Sequence, residues 1–155
     1  MLSDEELLRY SRQILLAQID IDGQLRLKQA SALIVGLGGL GSPVALYLAA
    51  AGVGSLHLAD FDTVDLTNLQ RQIMHDGASV GRPKVDSALD RLRALNPDIQ
   101  LVAHRRALDE DSLAAAVGAV DLVLDCSDNF ATREAVNAAC VKAGKPCLLY
   151  TSPSP

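Results

Sequence analysis

Ala32-Leu33-Ile34-Val35-Gly36-Leu37-Gly38-Gly39-Leu40-Gly41-Ser42 is the stretch on which the fold turns. An aliphatic run long enough for a short strand meets a glycine-rich turn, and small residues suited to a close-packed helix follow over 42–51. The turn has the spacing GxGxxG in the strand–turn–helix setting that the motif requires. Glycines permit the tight turn and let a phosphate approach the backbone. The helix N-terminus then offers free N–H groups and a partial positive charge. The same glycines could serve only to pack the helix against the strand. The setting favours a nucleotide site at Gly36, Gly38, Gly39 and Gly41.

The pattern repeats outward from this point. Further strands are expected over 55–59, 99–103, 121–125 and 146–150. The intervening helices are expected over 82–95, with Pro83 in the first turn, and over 109–117 and 131–143. Strands separated by helices imply parallel crossovers, hence an α/β, doubly wound, Rossmann-like sheet. The expected strand order is 3-2-1-4-5, which puts the ligand crevice beyond the carboxyl ends of the first and fourth strands. Helices precede this unit. Ser3 and Glu6 form a capping box that opens a helix running to about residue 16, with Leu7, Leu8, Ile14 and Leu15 on its apolar side. A second helical stretch covers 24–29.

Composition narrows the classes. The 155 residues suit one domain, and the chain is 49% hydrophobic with only 3% aromatic residues, so its core must be aliphatic. The net charge of -5 argues against a general nucleic-acid binder. No apolar run is long enough to span a bilayer. The N-terminus is acidic where a secretory signal would be basic. Three cysteines without CxxC spacing form no zinc site, and their odd number points to a reducing, cytoplasmic setting.

Polar residues gather where the crevice is expected. Asp60 ends the second strand, where an acidic residue commonly accepts hydrogen bonds from ribose hydroxyls. NAD and ATP both fit it. Asp62 fits a ligand or a turn carboxylate equally. The long connection after that strand carries Asn68-Leu69-Gln70-Arg71-Gln72 and Gly81-Arg82-Pro83-Lys84. Its cations could simply be solvated, but long loops are often functional, and Arg71 and Lys84 suit a triphosphate. Asp128 and Asn129 follow the fourth strand. Asp128 could hold Mg2+ or could cap the next helix. Asp125 fits either role. Cys126 reads as a core thiol rather than a nucleophile. His57, His75 and His104 lack metal-ligand spacing.

Taken together, these segments resemble the ubiquitin-activating-like superfamily, nearest to the molybdopterin-synthase and thiamine-biosynthesis adenylyltransferases. Arg9-Tyr10-Ser11-Arg12-Gln13, the glycine loop, Ala59-Asp60-Phe61-Asp62, the Asn68–Gln72 segment, Val80-Gly81-Arg82-Pro83-Lys84 and Asp125-Cys126-Ser127-Asp128-Asn129 carry the likeness, in order, from about Leu2 to Pro146. The resemblance implies ATP and Mg2+ as ligands. It implies adenylation of the C-terminal glycine carboxylate of a ubiquitin-like sulfur carrier ending in Gly-Gly. Gly39 and its neighbours resemble the phosphate loop, and Asp60 the ribose ligand. Asn68, Arg71, with Gln72 beside it, and Lys84 resemble the triphosphate contacts. Asp128, beside Asn129, resembles the residue that positions Mg2+ and the carboxylate. Arg12 resembles an arginine reaching into a partner subunit's ATP site, which implies a homodimer.

Members of this family extend further, often with two CxxC pairs that bind structural Zn2+. Residues 1–146 are therefore expected to be the N-terminal ATP-binding portion, and 147–155, ending in Ser-Pro steps, an atypical and non-native tail. An NAD-dependent Rossmann oxidoreductase would explain the glycine loop and Asp60 but leave Arg71, Lys84 and Asp128 without work. An inactive nucleotide-binding fragment or scaffold is the third reading.

Overall fold

The computed structural model describes residues 1–149. Of the tail expected to be atypical over 147–155, residues 150–155 lie outside the described residues, while Cys147–Leu149 form a strand. The chain begins with α1 (Asp4–Arg9), α2 (Ser11–Ile14) and α3 (Asp20–Gln29). The doubly wound unit follows as β1 (Ser31–Val35), α4 (Gly41–Ala51), β2 (Ser55–Ala59), α5 (Lys84–Leu95), β3 (Gln100–His104), α6 (Glu110–Gly118), β4 (Leu122–Asp125), α7 (Phe130–Ala143) and β5 (Cys147–Leu149). The five strands are parallel in the order β3-β2-β1-β4-β5, as expected.

β1 is covered on both faces, which is why it reads as an unbroken aliphatic run rather than an alternation. Ala32 and Ile34 join Leu56, Leu58 and Leu124 in a core closed by Ala45 and Ala49 of α4 and by Val85, Ala88, Leu89 and Leu92 of α5. Leu33 and Val35 point the other way, with Ala59 and Val123, against Leu113, Ala116 and Val117 of α6 and Val136 and Cys140 of α7. No helix among the described residues is long and apolar enough to cross a membrane.

The N-terminal helix departs from expectation. The capping box forms, with Ser3 N donating to Glu6 Oε2 at 2.8 Å and Glu6 N to Ser3 Oγ at 3.2 Å. The helix then breaks at Tyr10, whose backbone sits at φ -97° and ψ 9°. The break drops the Tyr10 ring into the interior, where Asn96 Nδ2 donates to its hydroxyl at 2.8 Å. Gly52 lies beneath the ring, because a Cβ there would meet Tyr10 Cζ at 2.6 Å. Leu7, Leu8 and Leu15 of the expected apolar side are exposed. The next helix starts at Asp20, four residues earlier than the expected 24. α5 begins at Lys84 with Pro83 as its N-cap, one step outside the first turn. β5 pairs with β4, yet all its residues are exposed.

Candidate functional site

A cavity of about 870 Å³ opens at the carboxyl edge of the sheet, where the segments leaving β1 and β4 turn to opposite faces. The glycine loop forms its floor. Leu37 N donates to Asp60 Oδ2 at 2.7 Å, so a carboxylate from the end of β2 holds the loop in place. Gly36, at φ +93°, passes so near β4 that a Cβ would lie 2.8 Å from Cys126 O. The N–H groups of Gly38, Gly39 and Leu40 have no hydrogen-bond partner among the described residues. Successive free amides at the start of α4 suit an anion. Gly41 does different work. It lines no part of the cavity, and a Cβ there would lie 1.8 Å from Gly36 O, so this glycine packs the helix onto the loop.

The wall beyond β2 is cationic. An isolated antiparallel bridge between Thr63 and Pro83 folds the connection back on itself and brings Lys84 to the cavity. Lys84 is only 5% exposed, and its Nζ lies 3.2 Å from Asp62 Oδ2. Lysine in a first helical turn opposes the helix dipole, an arrangement that an anion above it would relieve. Arg71 reaches the cavity with its guanidinium steadied by Thr67 O at 3.3 Å and Asn68 Oδ1 at 3.2 Å. Asn68 itself is not on the cavity wall. Gln72 is buried beside Gly38 and leaves Oε1 without a partner. An orphaned buried amide oxygen is costly unless a ligand or water satisfies it.

The opposite wall comes from β4 and α7. Asp125 is buried and accepts from Ser127 N at 3.0 Å and Ser127 Oγ at 2.6 Å, so it shapes the turn. Asn129, not Asp128, caps α7, accepting from Thr132 N at 2.9 Å. That removes the capping alternative for Asp128. Its carboxylate faces the cavity, exposed, and makes no hydrogen bond or ion pair among the described residues. Cys126 is buried, and burial first, then Asp125, pushes its thiol up to about 12, which fits a core thiol. Arg12 lies on α2, away from the cavity.

Other cavity residues carry no sequence signal used above. Arg133 on α7 donates to Ser127 O from Nη2 at 2.9 Å and from Nε at 3.3 Å, fixing the turn that bears Asp128. Arg106, between β3 and α6, lines the cavity with no partner among the described residues. Leu108, Leu113 and Val136 give that end an apolar lining of a kind that suits a base. The rule that loops at carboxyl strand ends make the site applies to 105–109 as much as to the loops after β1 and β4, and would have found Arg106.

A parallel 3-2-1-4-5 sheet with a glycine loop of free amides, a cationic connection after β2 and an acidic turn after β4 defines a doubly wound α/β protein whose cavity suits an anionic ligand. The chain belongs to the ThiF family, whose model matches residues 10–151. It is 55% identical over 147 residues to the molybdopterin-synthase adenylyltransferase of Escherichia coli (strain K12), covering 95% of this chain and 59% of that protein. It is 53% identical, with the same coverage, to the sulfur carrier protein ThiS adenylyltransferase of that strain. Among solved structures, E. coli TcdA in complex with ATP superposes with a TM-score of 0.90 at 27% identity, over 96% of this chain and 61% of that one. The E. coli MccB structure with ATP gives 0.82 at 31% identity, over 91% of this chain and 43% of that one. The chain thus spans about three-fifths of the curated bacterial relatives it matches. These relatives are named adenylyltransferases.

Proposed function

We propose that residues 1–146 are the ATP-binding portion of an enzyme that adenylates the C-terminal glycine carboxylate of a ubiquitin-like sulfur carrier ending in Gly-Gly, of the molybdopterin or thiamine biosynthesis type. The observation that carries this reading is the meeting of free Gly38–Leu40 amides, Arg71 and Lys84 with the unengaged Asp128 carboxylate around one cavity. In the proposed reaction the carrier's carboxylate attacks the α-phosphorus of ATP. The bond to the bridging oxygen breaks, pyrophosphate leaves and an acyl adenylate forms.

An α-carboxyl group titrates near ~3.5, so the nucleophile is already ionised at neutral pH and no general base is needed. The protein's work is alignment and neutralisation of charge on the leaving group. Arg71, Lys84 and the loop amides would supply the neutralisation, and Asp60 would hold the ribose. Asn68 would act through Arg71, which it already holds. The donor set fits Mg2+. No cluster of three or more acidic, His or Cys ligands occurs among the described residues, and Mg2+ commonly takes one or two carboxylates and completes its shell with phosphate and water. Asp128 would hold the ion, with Asn129 beside it, and bound Mg2+ would neutralise phosphate charge.

Arg12 would complete a partner subunit's site in a homodimer. The exposed Leu8, Leu15 and Leu16 around it support such an interface. The parent would carry the remaining family segments, including structural Zn2+ held by cysteines outside this chain, and would work in the cytoplasm.

The test is thermal unfolding of the chain with Mg-ATP and with NAD. A ligand bound only by the native state at a hundred times Kd adds about 2.7 kcal/mol of stability. Mg-ATP should raise the midpoint, and Arg71→Ala should remove most of the rise while leaving the unliganded midpoint near that of the parent chain. A rise with NAD and none with Mg-ATP overturns the reading.

A further inference from the structure

The glycine loop is held through a buried leucine. Leu37 is fully buried, and both of its backbone polar groups are tied. Its N–H goes to Asp60, and its carbonyl lies 3.0 Å from His75 Nε2 and also accepts from Ser42 Oγ at a longer 3.4 Å. His75 Nδ1 in turn lies 2.9 Å from Ser87 Oγ on α5. A carbonyl can only accept, so Nε2 must carry the proton and a neutral ring must accept from the Ser87 hydroxyl through Nδ1. His75 and Ser87 are both buried. The partners come from separate parts of the chain, 38 and 12 residues from His75. No reading of the site given above uses this histidine.

We infer that His75 is a positioning residue for the phosphate loop. Its Nε2–H, in the tautomer that the Leu37 carbonyl requires and the Ser87 hydroxyl accommodates at Nδ1, fixes the Leu37 carbonyl so that the next amides, Gly38 to Leu40, stay turned into the cavity. A peptide unit is planar, so holding the Leu37 carbonyl sets the direction of the Gly38 N–H on the other side of the same unit. Asp60 fixes the preceding unit in the same way. Preorganised donors need no rearrangement when the anion arrives, which is where such a clamp acts on binding. The inference rests on the nucleotide reading of the cavity.

The experiment compares His75→Leu and His75→Gln with the unsubstituted chain by calorimetric titration with Mg-ATP, alongside 15N spectra of the imidazole. Leucine removes the donor at similar volume, and glutamine can return an N–H to the Leu37 carbonyl. Loss of one buried hydrogen bond predicts roughly a tenfold weaker Mg-ATP affinity in His75→Leu, with glutamine restoring it to within about threefold. The unsubstituted chain should show the neutral Nε2–H tautomer. Equal affinities in all three proteins, equal losses in both variants, or an Nδ1–H tautomer overturn the inference. Should His75→Leu fail to fold, Ser87→Ala leaves the ring in place while removing the partner that holds Nδ1. It should weaken Mg-ATP about threefold, and an unchanged affinity there overturns the inference. Absence of Mg-ATP binding by the unsubstituted chain overturns the nucleotide reading itself, and this inference with it.

Discussion

The two walls of the cavity are built on different terms. On the β2 side the polar groups, Gln72 Oε1 apart, are spoken for by each other: Asp60 accepts from Leu37 N and Asp62 N, Arg71 rests on Asn68, and Lys84 pairs with Asp62. On the β4 side Asp125 and Asn129 are used up as turn and cap, and Arg133 braces the turn, but Asp128 is left over. A residue engaged within the fold carries structure and binding together. A free carboxylate held out by its neighbours can be removed without disturbing the structure that presents it. On the first wall Asp60 should therefore carry structure and binding together, whereas Asp128 on the second should lose function while its wall keeps its shape.

Asp60→Ala is the sharpest way to break that comparison. It leaves the buried Leu37 N–H without a partner, and such a group costs about 1–3 kcal/mol. Urea unfolding should show a loss in that range, and the stabilisation by Mg-ATP should vanish. An unchanged midpoint in urea would mean that the loop holds itself, and the first wall would no longer differ from the second. Lys84→Met comes next. The Asp62 partner is largely exposed, so the pair should contribute little, and removing a cation from a helix N-terminus offsets part of that. Stability should stay within about 1 kcal/mol, while Mg-ATP weakens about tenfold or more through loss of a charged hydrogen bond. A stability loss well beyond that would make Lys84 a structural residue first.

The same contrast explains what the sequence disclosed. Strand order and both ends of β2 could be read because a sheet covered on both faces demands aliphatic runs, and Leu33, Ile34, Leu56 and Leu58 supply them. The glycine loop could be read because its chemistry is local. The break at Tyr10 could not, because it is set by Asn96, 86 residues away, while the capping box and leucine spacing argue for one continuous helix. His75 was hidden in the same way, as its partners define it and neither lies at a motif spacing. Asp128 could be placed beside the crevice, but choosing between cap and free carboxylate required seeing Asn129 take the cap.

Asp128→Asn sharpens the comparison from the second wall. The carboxylate has no partner among the described residues to lose, and a surface change of this kind stays within about 0.5 kcal/mol. Urea midpoints should coincide. The difference should appear only in titrations of ATP with and without Mg2+, where the gain from the ion seen in the parent chain should be lost. A variant that keeps the full Mg2+ response would remove Asp128 from the proposed ion site.

The smallest effect is one of pH, and it too should fall on the first wall alone. Burial, as the largest cause, holds the His75 imidazole below its ordinary range, with Lys84 adding to the lowering. The bond to the Leu37 carbonyl and the carboxylates of Asp60 and Asp76 oppose it. An unfolded histidine takes up its proton near ~6.5, whereas the folded one stays neutral to lower pH. Between those values the unfolded state binds more protons, so stability rises with pH there. The contribution is complete above ~6.5 and is lost as pH falls through the folded value. No histidine lies in the turn from Cys126 to Asn129. Hydrogen exchange corrected for intrinsic rates should therefore show Leu37 N–H losing protection from pH 7 to 5.5 more than Ser127 N–H does, with His75→Gln erasing the difference. Parallel loss at both amides would mean that acid acts on the whole sheet rather than on the wall that carries the clamp.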